Sequence, residues 1–431
     1  MYRCLIIADD LTGANATISL LKNLKITTLL DLNDKNLYKN YDAISCSTES
    51  RSISESDAYN KVFNITKKYM HENIIVYNKR IDSTMRGNVG IEIDAMLDAL
   101  DDDRIAIVSP AYPSAGRTVV GGYLLVNGVL VEDTEMAVDS KNPIKISNVI
   151  DLIKAQSKRK IISMSIDIVR KSVKVIANFI KDKYKEGFRI FVCDMINENH
   201  INSISQAVLE SKIKFIVADP SPLTAKISEL SITPTPPPPP PTHNESRKIL
   251  CAIGSISHTT ALQVKTINQY RKIGLIRFRP ENLIDSSLYD NEINNIVNEV
   301  IDKFKSFDIC ILVSENLYRD KPLDFDEIAL ISKIDIEYLS NLINERLAIS
   351  IGKILEKVRV DALYTSGGDT TIKICSQLNS CNLDIQYSIF PLVVYAKLSG
   401  GKYQGLDLIT KGGGVGDAES LIKCVDFLIH K

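Results

Sequence analysis

Short apolar runs alternate with stretches of helical period along almost the whole chain. In the first half RCLIIA, ITTLL, NIIVY, RIAIVS, KIISMSI, RIFVCD and KFIVAD read as strands. Ile91 to Leu100 and Val169 to Tyr184 read there as amphipathic helices. In the second half the strands are KILCAIG, LIRF, DICILVS, VDALYTS, PLVVYA and LDLIT. The helices there are Thr259 to Tyr270, Ile293 to Phe304 and Ile336 to Leu355. Continuous apolar runs suit strands buried on both faces, and their alternation with helices suits parallel sheets. The expected fold class is α/β, with two α/β domains of mainly parallel sheets joined by a Pro-rich linker. The joint is SITPTPPPPPPTHNES, whose six consecutive prolines, Pro236 to Pro241, lack N–H donors and fit no helix or sheet interior. The expected boundaries are 1–231 for an N-terminal domain, 232–246 for the linker and 247–431 for a C-terminal domain.

Composition narrows the function classes. A chain of 431 residues exceeds one ordinary core. A net charge of -1 provides no bulk field for nucleic acid or an acidic membrane surface. The eight cysteines form no CxxC pair and several sit in apolar runs, so they are expected as buried thiols. The five histidines show no metal-ligand spacing. RCLIIA is too short for a signal peptide, and no window reads as a membrane span, so the expected location is cytoplasmic.

Polar signals collect just after the apolar runs, where open α/β sheets bind their ligands. RCLIIA ends in Asp9-Asp10 and a small-residue turn. A carboxylate there can take a proton from a substrate hydroxyl or can simply cap a helix. Arg51 lies in STESRS, and a guanidinium binds a carboxylate bidentately. The segment KRIDSTMRGNVG packs Lys79, Arg80, Asp82, Ser83, Thr84 and Arg86 into a short stretch before a helix. Two cations near a carboxylate and two hydroxyls suit a polyhydroxy acid. PAYPSAGRT brings Arg117, and the stretch after it reads as a hairpin turning at Asn127-Gly128.

In the second half, glycine-containing turns follow three apolar runs: GSISHTT from Gly254, TSGGDTTIKI from Thr365 and KGGGVGD from Lys411. Such strand-to-helix turns offer free backbone N–H groups to phosphate oxygens. None matches GxxxxGK[ST] or GxGxxG.

Taken together, IIADDLTGA, KRIDSTMRGN, PAYPSAGRTVVGGYLLVNG, GSISHTTALQ, TSGGDT and KGGGVG resemble the four-carbon acid sugar kinase family over nearly the whole chain. The resemblance implies ATP-dependent phosphorylation of a small acid such as threonate or erythronate. It implies an acid-binding N-terminal domain and a nucleotide-binding C-terminal domain. It puts substrate contacts on Asp10, Arg51, Lys79, Arg80, Asp82, Ser83, Thr84 and Arg86. It puts nucleotide contacts on Ser255 or Ser257, on Gly367, Gly368, Asp369 and Thr370, and on Gly413. This chain departs from the family at Gly412 and Gly414, where serine and asparagine are usual. It also departs at ADPSPLTAKI, which lacks a glycine pair often found there.

The expected mechanism has glycine-loop amides holding ATP, with Mg2+ bridging its phosphates and domain closure excluding water. Arg51 with Lys79 or Arg86 holds the substrate carboxylate. Asp10 or Asp82 serves as base, Asp10 being favoured because cations flank Asp82. The partners are the acid sugar and ATP, with no nucleic acid or membrane, and a homo-oligomer is left open. The rival readings are a sensor without catalysis and a dehydrogenase acting on the same acids. The second would require the dinucleotide fingerprint that is not found.

Overall fold

Every residue of Cys4–Ala8 (β1) is buried, as expected of a strand covered on both faces. The same holds for Ala106 to Val108 within Ile105–Val108 (β5) and for Phe215–Asp219 (β11). The computed structural model describes residues 2–31, 41–138, 143–234, 247–319, 328, 335–380, 382–390 and 392–430. The six prolines of the expected linker lie outside them. The chain falls into two units, one built from the described residues before the prolines and the other from those after them.

In the first unit, Thr28–Asp31 (β2), Ala43–Ser47 (β3), Val76–Arg80 (β4), Ile161–Met164 (β9) and Ile190–Cys193 (β10) join β1, β5 and β11. The order is β2-β3-β1-β4-β11-β5-β10-β9. β1 pairs in parallel with β3 on one side and β4 on the other, so the chain changes direction across the sheet beside β1. Ala8 aligns with both Ser47 and Arg80, and Arg80 aligns with Asp219, which brings four strand ends level. A separate antiparallel sheet, Arg117–Val120 (β6), Tyr123–Val126 (β7) and Val129–Leu130 (β8), turns at Asn127-Gly128 as the sequence suggested. Asp194 ties this sheet down, accepting from the N–H groups of Gly121 and Gly122.

In the second unit, Ile249–Ile253 (β12), Gly274–Phe278 (β13), Ile309–Ser314 (β14), Ala362–Ser366 (β15), Asn382–Phe390 (β16), Val393–Ser399 (β17) and Asp407–Lys411 (β18) run in the order β13-β14-β12-β15-β18-β17-β16. β12 lies in parallel between β14 and β15, a second direction change. β17 is antiparallel to both β16 and β18. β16 was not expected, because polar residues and register shifts near Gln386 and Ile389 break its apolar pattern.

Two other boundaries moved. Val169 to Tyr184 is not one helix but two, Ile166–Val169 and Val173–Lys185, separated by Ser172 in an extended conformation. The strand expected at NIIVY begins later, and β4 takes in Asn78, Lys79 and Arg80, all buried. Each of the first two has a partner that compensates its desolvation. Asn78 Nδ2 donates to Val217 O and Asp219 Oδ1, and Lys79 pairs with Glu92. The seven described cysteines are buried and unbridged, and Cys381 lies outside the described residues. Among the described residues, no helix is long and apolar enough to cross a membrane.

Ser221, in the segment ADPSPLTAKI, has φ 119°, a backbone region that side chains rarely adopt. Its hydroxyl lies 2.7 Å from that of Thr17, which offsets part of the strain. Ser221→Gly is therefore expected to be more stable than Ser221→Ala by about 1–3 kcal/mol. That order is opposite to the one usual in regular structure. Urea denaturation of the two variants measures it.

Candidate functional site

In the first unit the site grows from the loops that follow β1, β3, β4 and β11. After β1, Asp10 caps the helix Leu11–Asn23 (α1), its Oδ1 accepting from Gly13 N at 2.7 Å. The capping alternative raised by the sequence is therefore real, yet Oδ2 remains turned to Arg51 Nη1 at 2.7 Å. Arg51, after β3, also grips Asp9 through two bonds, Nε to Oδ2 at 2.7 Å and Nη2 to Oδ1 at 3.0 Å. Asp82 Oδ1 lies 4.0 Å from the same guanidinium. Arg51 thus gathers three aspartates from two loops. Gly87 makes room for it, since a Cβ there would lie 3.0 Å from Arg51 Cγ and from its carbonyl oxygen.

After β4, Arg86 donates to both oxygens of Asp82, at 2.8 and 3.1 Å, and Thr84 donates to Asp82 through its hydroxyl. The Ser83 hydroxyl is half-buried. Lys79 does not reach this surface. It is fully enclosed, pairing with Glu92 of the helix Val89–Leu100 (α2) at 2.8 Å and donating to the carbonyls of Ile7 and Arg80. Arg51, Lys79 and Arg86, expected to receive a substrate carboxylate, each already hold a carboxylate of the protein.

Arg80 differs from these three. It is 7% exposed, and its Nε and Nη1 are buried with no hydrogen-bond partner. Its guanidinium lies against the first turn of α1, where a Cβ on Gly13 would come within 2.8 Å of Arg80 Cδ, Nε and Cζ. A desolvated guanidinium with donors unused is costly, and an incoming anion would satisfy it.

The two candidate bases have diverged. Burial and the neighbouring Asp9 raise Asp10 above the ordinary carboxylate range, against the opposing pull of Arg51 and Arg80. Its side chain stays 24% exposed, which moderates the shift and keeps it reachable. Burial also acts upward on Asp82, but the Arg86 hydrogen bonds and the charges of Arg51 and Arg86 outweigh it and hold Asp82 below that range. The cations responsible are Arg86 and Arg51, not Lys79.

In the second unit three loops meet. Gly254 N and Ser255 N, after β12, both donate to Ser366 O at the end of β15. Ser257 caps the helix His258–Tyr270, accepting from Thr260 N. Gly413, after β18, accepts at its carbonyl from Ser257 Oγ at 3.0 Å and Thr260 Oγ1 at 2.8 Å. Gly367 has φ 116°, and the helix Gly368–Gln377 starts without a side-chain cap. Its first N–H groups, from Gly368, Asp369 and Thr370, therefore have no partner within the helix. Asp369 is exposed in that first turn, while Thr370 is buried and donates to Asn344 Oδ1 at 2.7 Å.

Ser255, Ser257, Gly367, Gly368, Thr370 and Gly413 are thus drawn into one place, with Asp369 on its exposed rim. Thr260, the last residue of GSISHTT, joins them, as does Asn344, which the sequence did not point to. Asn344 comes from the long helix Ile336–Lys357, and nothing around it in the sequence signals the contact.

The packing leaves no room for added atoms. A Cβ on Gly254 would stand 2.0 Å from Thr370 Oγ1 and 3.0 Å from Asn344 Oδ1. Gly254→Ala is expected to destabilise the protein by about 1–3 kcal/mol and to weaken nucleotide binding. Ligand binding in the first unit should persist. Calorimetric titration of each ligand checks this, and unchanged nucleotide affinity would contradict the cradle.

Two family models match the chain. A sugar-binding N-terminal domain matches residues 4–227 and a nucleotide-binding C-terminal domain matches residues 250–421. The chain is 33% identical to the D-erythronate kinase of Heliobacterium modesticaldum, over 100% of this chain and 98% of that protein. It is 26% identical to the D-threonate kinase of Salmonella typhimurium, over 99% of this chain and 98% of that one. A solved structure of a Haemophilus influenzae protein shares the fold, with a TM-score of 0.75 at 22% identity over 98% of this chain and 99% of that one.

Proposed function

The chain belongs to the four-carbon acid sugar kinase family, and on that premise we propose that it transfers a phosphoryl group from ATP to a hydroxyl of a four-carbon sugar acid such as erythronate or threonate. The observation that carries this reading is the buried guanidinium of Arg80, its Nε and Nη1 unpaired, beside Asp10 at the direction change of the first sheet. An acid with hydroxyls satisfies both groups at once. Its carboxylate takes the Arg80 donors, and one of its hydroxyls gives its proton to Asp10.

The other residues prepare these two. Arg51 holds Asp9, Asp10 and Asp82 in fixed relation. Asp82, locked by Arg86, accepts from a substrate hydroxyl and stays ionised. Ser83 offers a further hydroxyl at the same loop. The buried Lys79–Glu92 pair holds the loop after β3 through the Ser50 hydroxyl, which donates to Glu92 at 2.5 Å.

In the second unit, the free N–H groups of Gly368, Asp369 and Thr370, with the hydroxyls of Ser255 and Ser257, suit the oxygens of a nucleotide's phosphates. Mg2+ accompanying ATP would neutralise charge on the phosphate oxygens during transfer. The residues fit an ion held chiefly by phosphates, with Asp369 as the available carboxylate. Among the described residues, no group of three His, Cys, Asp or Glu side chains would hold a metal unaided. Buried unbridged thiols and the use of ATP suit the cytoplasm.

The test is incubation of the protein with ATP, Mg2+ and a panel of four-carbon sugar acids, with the matching tetritols as controls, followed by measurement of ADP. ADP release with an acid and not with its tetritol is expected. No release with any acid, while the protein stays folded, would sink the reading.

A further inference from the structure

The strand β18 ends at Lys411, which turns into the protein and is 1% exposed. Its ammonium has no carboxylate partner among the described residues. It donates instead to three carbonyls of its own loop: Gly412 O at 2.8 Å, Gly413 O at 3.2 Å and Val415 O at 3.1 Å. Two of these carbonyls are held a second time by the helix His258–Tyr270 and its cap. Gly413 O accepts from Ser257 and Thr260, and Val415 O accepts from Gln263 Nε2 at 3.0 Å.

The C=O and N–H of a trans peptide point in opposite directions. Turning these three carbonyls inward therefore turns outward the N–H groups that share their peptides, those of Gly413, Gly414 and Gly416. None of the three donates to any acceptor among the described residues. A row of outward N–H groups on a glycine loop is an anion-binding concavity. Glycine at 412, 413 and 414 gives the loop no side chain with which to hold that shape, so it depends on these hydrogen bonds, and Lys411 is the group that reaches all three carbonyls.

We infer that Lys411 is a positioning residue for the nucleotide's phosphates, its ammonium fixing the peptides so that the N–H groups of Gly413, Gly414 and Gly416 face the ligand. The inference rests on the reading of this unit as the nucleotide site. Burial lowers the Lys411 ammonium to about 8. The ionisable group facing it is Cys424 of the helix Ser420–His430, a thiol that burial pushes up to about 12 and that stays neutral. Asp417, further along the loop, is turned to Ser420 and Lys423. The cage therefore loses its charge as the pH passes about 8.

The experiment is calorimetric titration of the full-length protein with ATP and, separately, with adenosine, which lacks phosphates. Lys411→Met is expected to weaken ATP by about 10- to 100-fold and to leave adenosine nearly unchanged. In the wild type, ATP affinity should fall from about pH 7 to about pH 9 with adenosine flat, and in Lys411→Met neither should change over that range. The wild-type pH series stands by itself if the variant does not fold. Equal losses for the two ligands, unchanged ATP affinity in the variant, or a wild-type ATP affinity independent of pH would each overturn the inference. A wild type that binds adenosine but gains nothing from the phosphates would overturn it while leaving the nucleotide reading standing. A wild type that binds neither would remove both.

Discussion

Asp10→Asn lowers kcat by about 10²- to 10⁴-fold and changes KM for the acid sugar only a few-fold. Asparagine is the informative substitute, because it caps a helix about as well as aspartate and keeps α1 in place. What it removes is the capacity to accept a proton. Burial and Asp9 raise the carboxyl of Asp10, so it is the better base of the two candidates, and part of its side chain is open to solvent. Asp82 is held low by the hydrogen bonds of Arg86 and the charges of Arg51 and Arg86, and it makes a poor base.

The sign of the pH dependence follows. The base must be unprotonated, so wild-type kcat falls as the pH drops through the raised value of Asp10. That acid limb should lie above the ordinary aspartate value of about 4. In Asp82→Asn the same limb should persist, with a larger KM. Steady-state kinetics of both variants across pH decide the matter. If Asp82→Asn loses kcat and Asp10→Asn does not, the assignment is reversed.

Arg80→Gln raises KM for the acid sugar by about 10²-fold, the loss of a charge-assisted pair worth about 3 kcal/mol. KM for ATP should stay as it is. A second measurement separates binding from structure. Without ligand, the Arg80 guanidinium is buried with Nε and Nη1 unsatisfied, so its removal should not lower the Tm of the free protein. Arg51→Ala should behave differently, lowering the Tm because it leaves Asp9, Asp10 and Asp82 facing one another. A Tm loss in Arg80→Gln with unchanged KM would make Arg80 a structural cation only.

The contrast between Arg80 and Lys79 shows where local pattern stopped being informative. Both stand in KRIDSTMRGN, and a strand ending at Tyr77 leaves them equivalent. β4 continues to Arg80, and side chains on a strand alternate between faces. Lys79 therefore points toward Glu92 of α2, whereas Arg80 lies against Gly13 of α1. Carrying the strand three residues further would have separated them. No local signal could have named their partners, since Glu92 and Gly13 belong to other elements.

The α/β class, the order of most strands and helices, and the loops in which chemistry gathers are legible in the residue order. These depend on hydrophobic period, on prolines and glycines, and on the placing of polar residues after buried runs, all of which are local. Which cations hold a carboxylate and which keep unpaired donors, among the described residues, is visible only in the assembled fold. Arg51, Lys79 and Arg86 are occupied by Asp9, Glu92 and Asp82, Arg80 keeps unused donors, and Lys411 holds carbonyls rather than a carboxylate. The physical reason is that a side chain's type fixes what it can bind, but its partner is set by distance. Distance between residues on different strands and helices exists only once the sheet has been assembled.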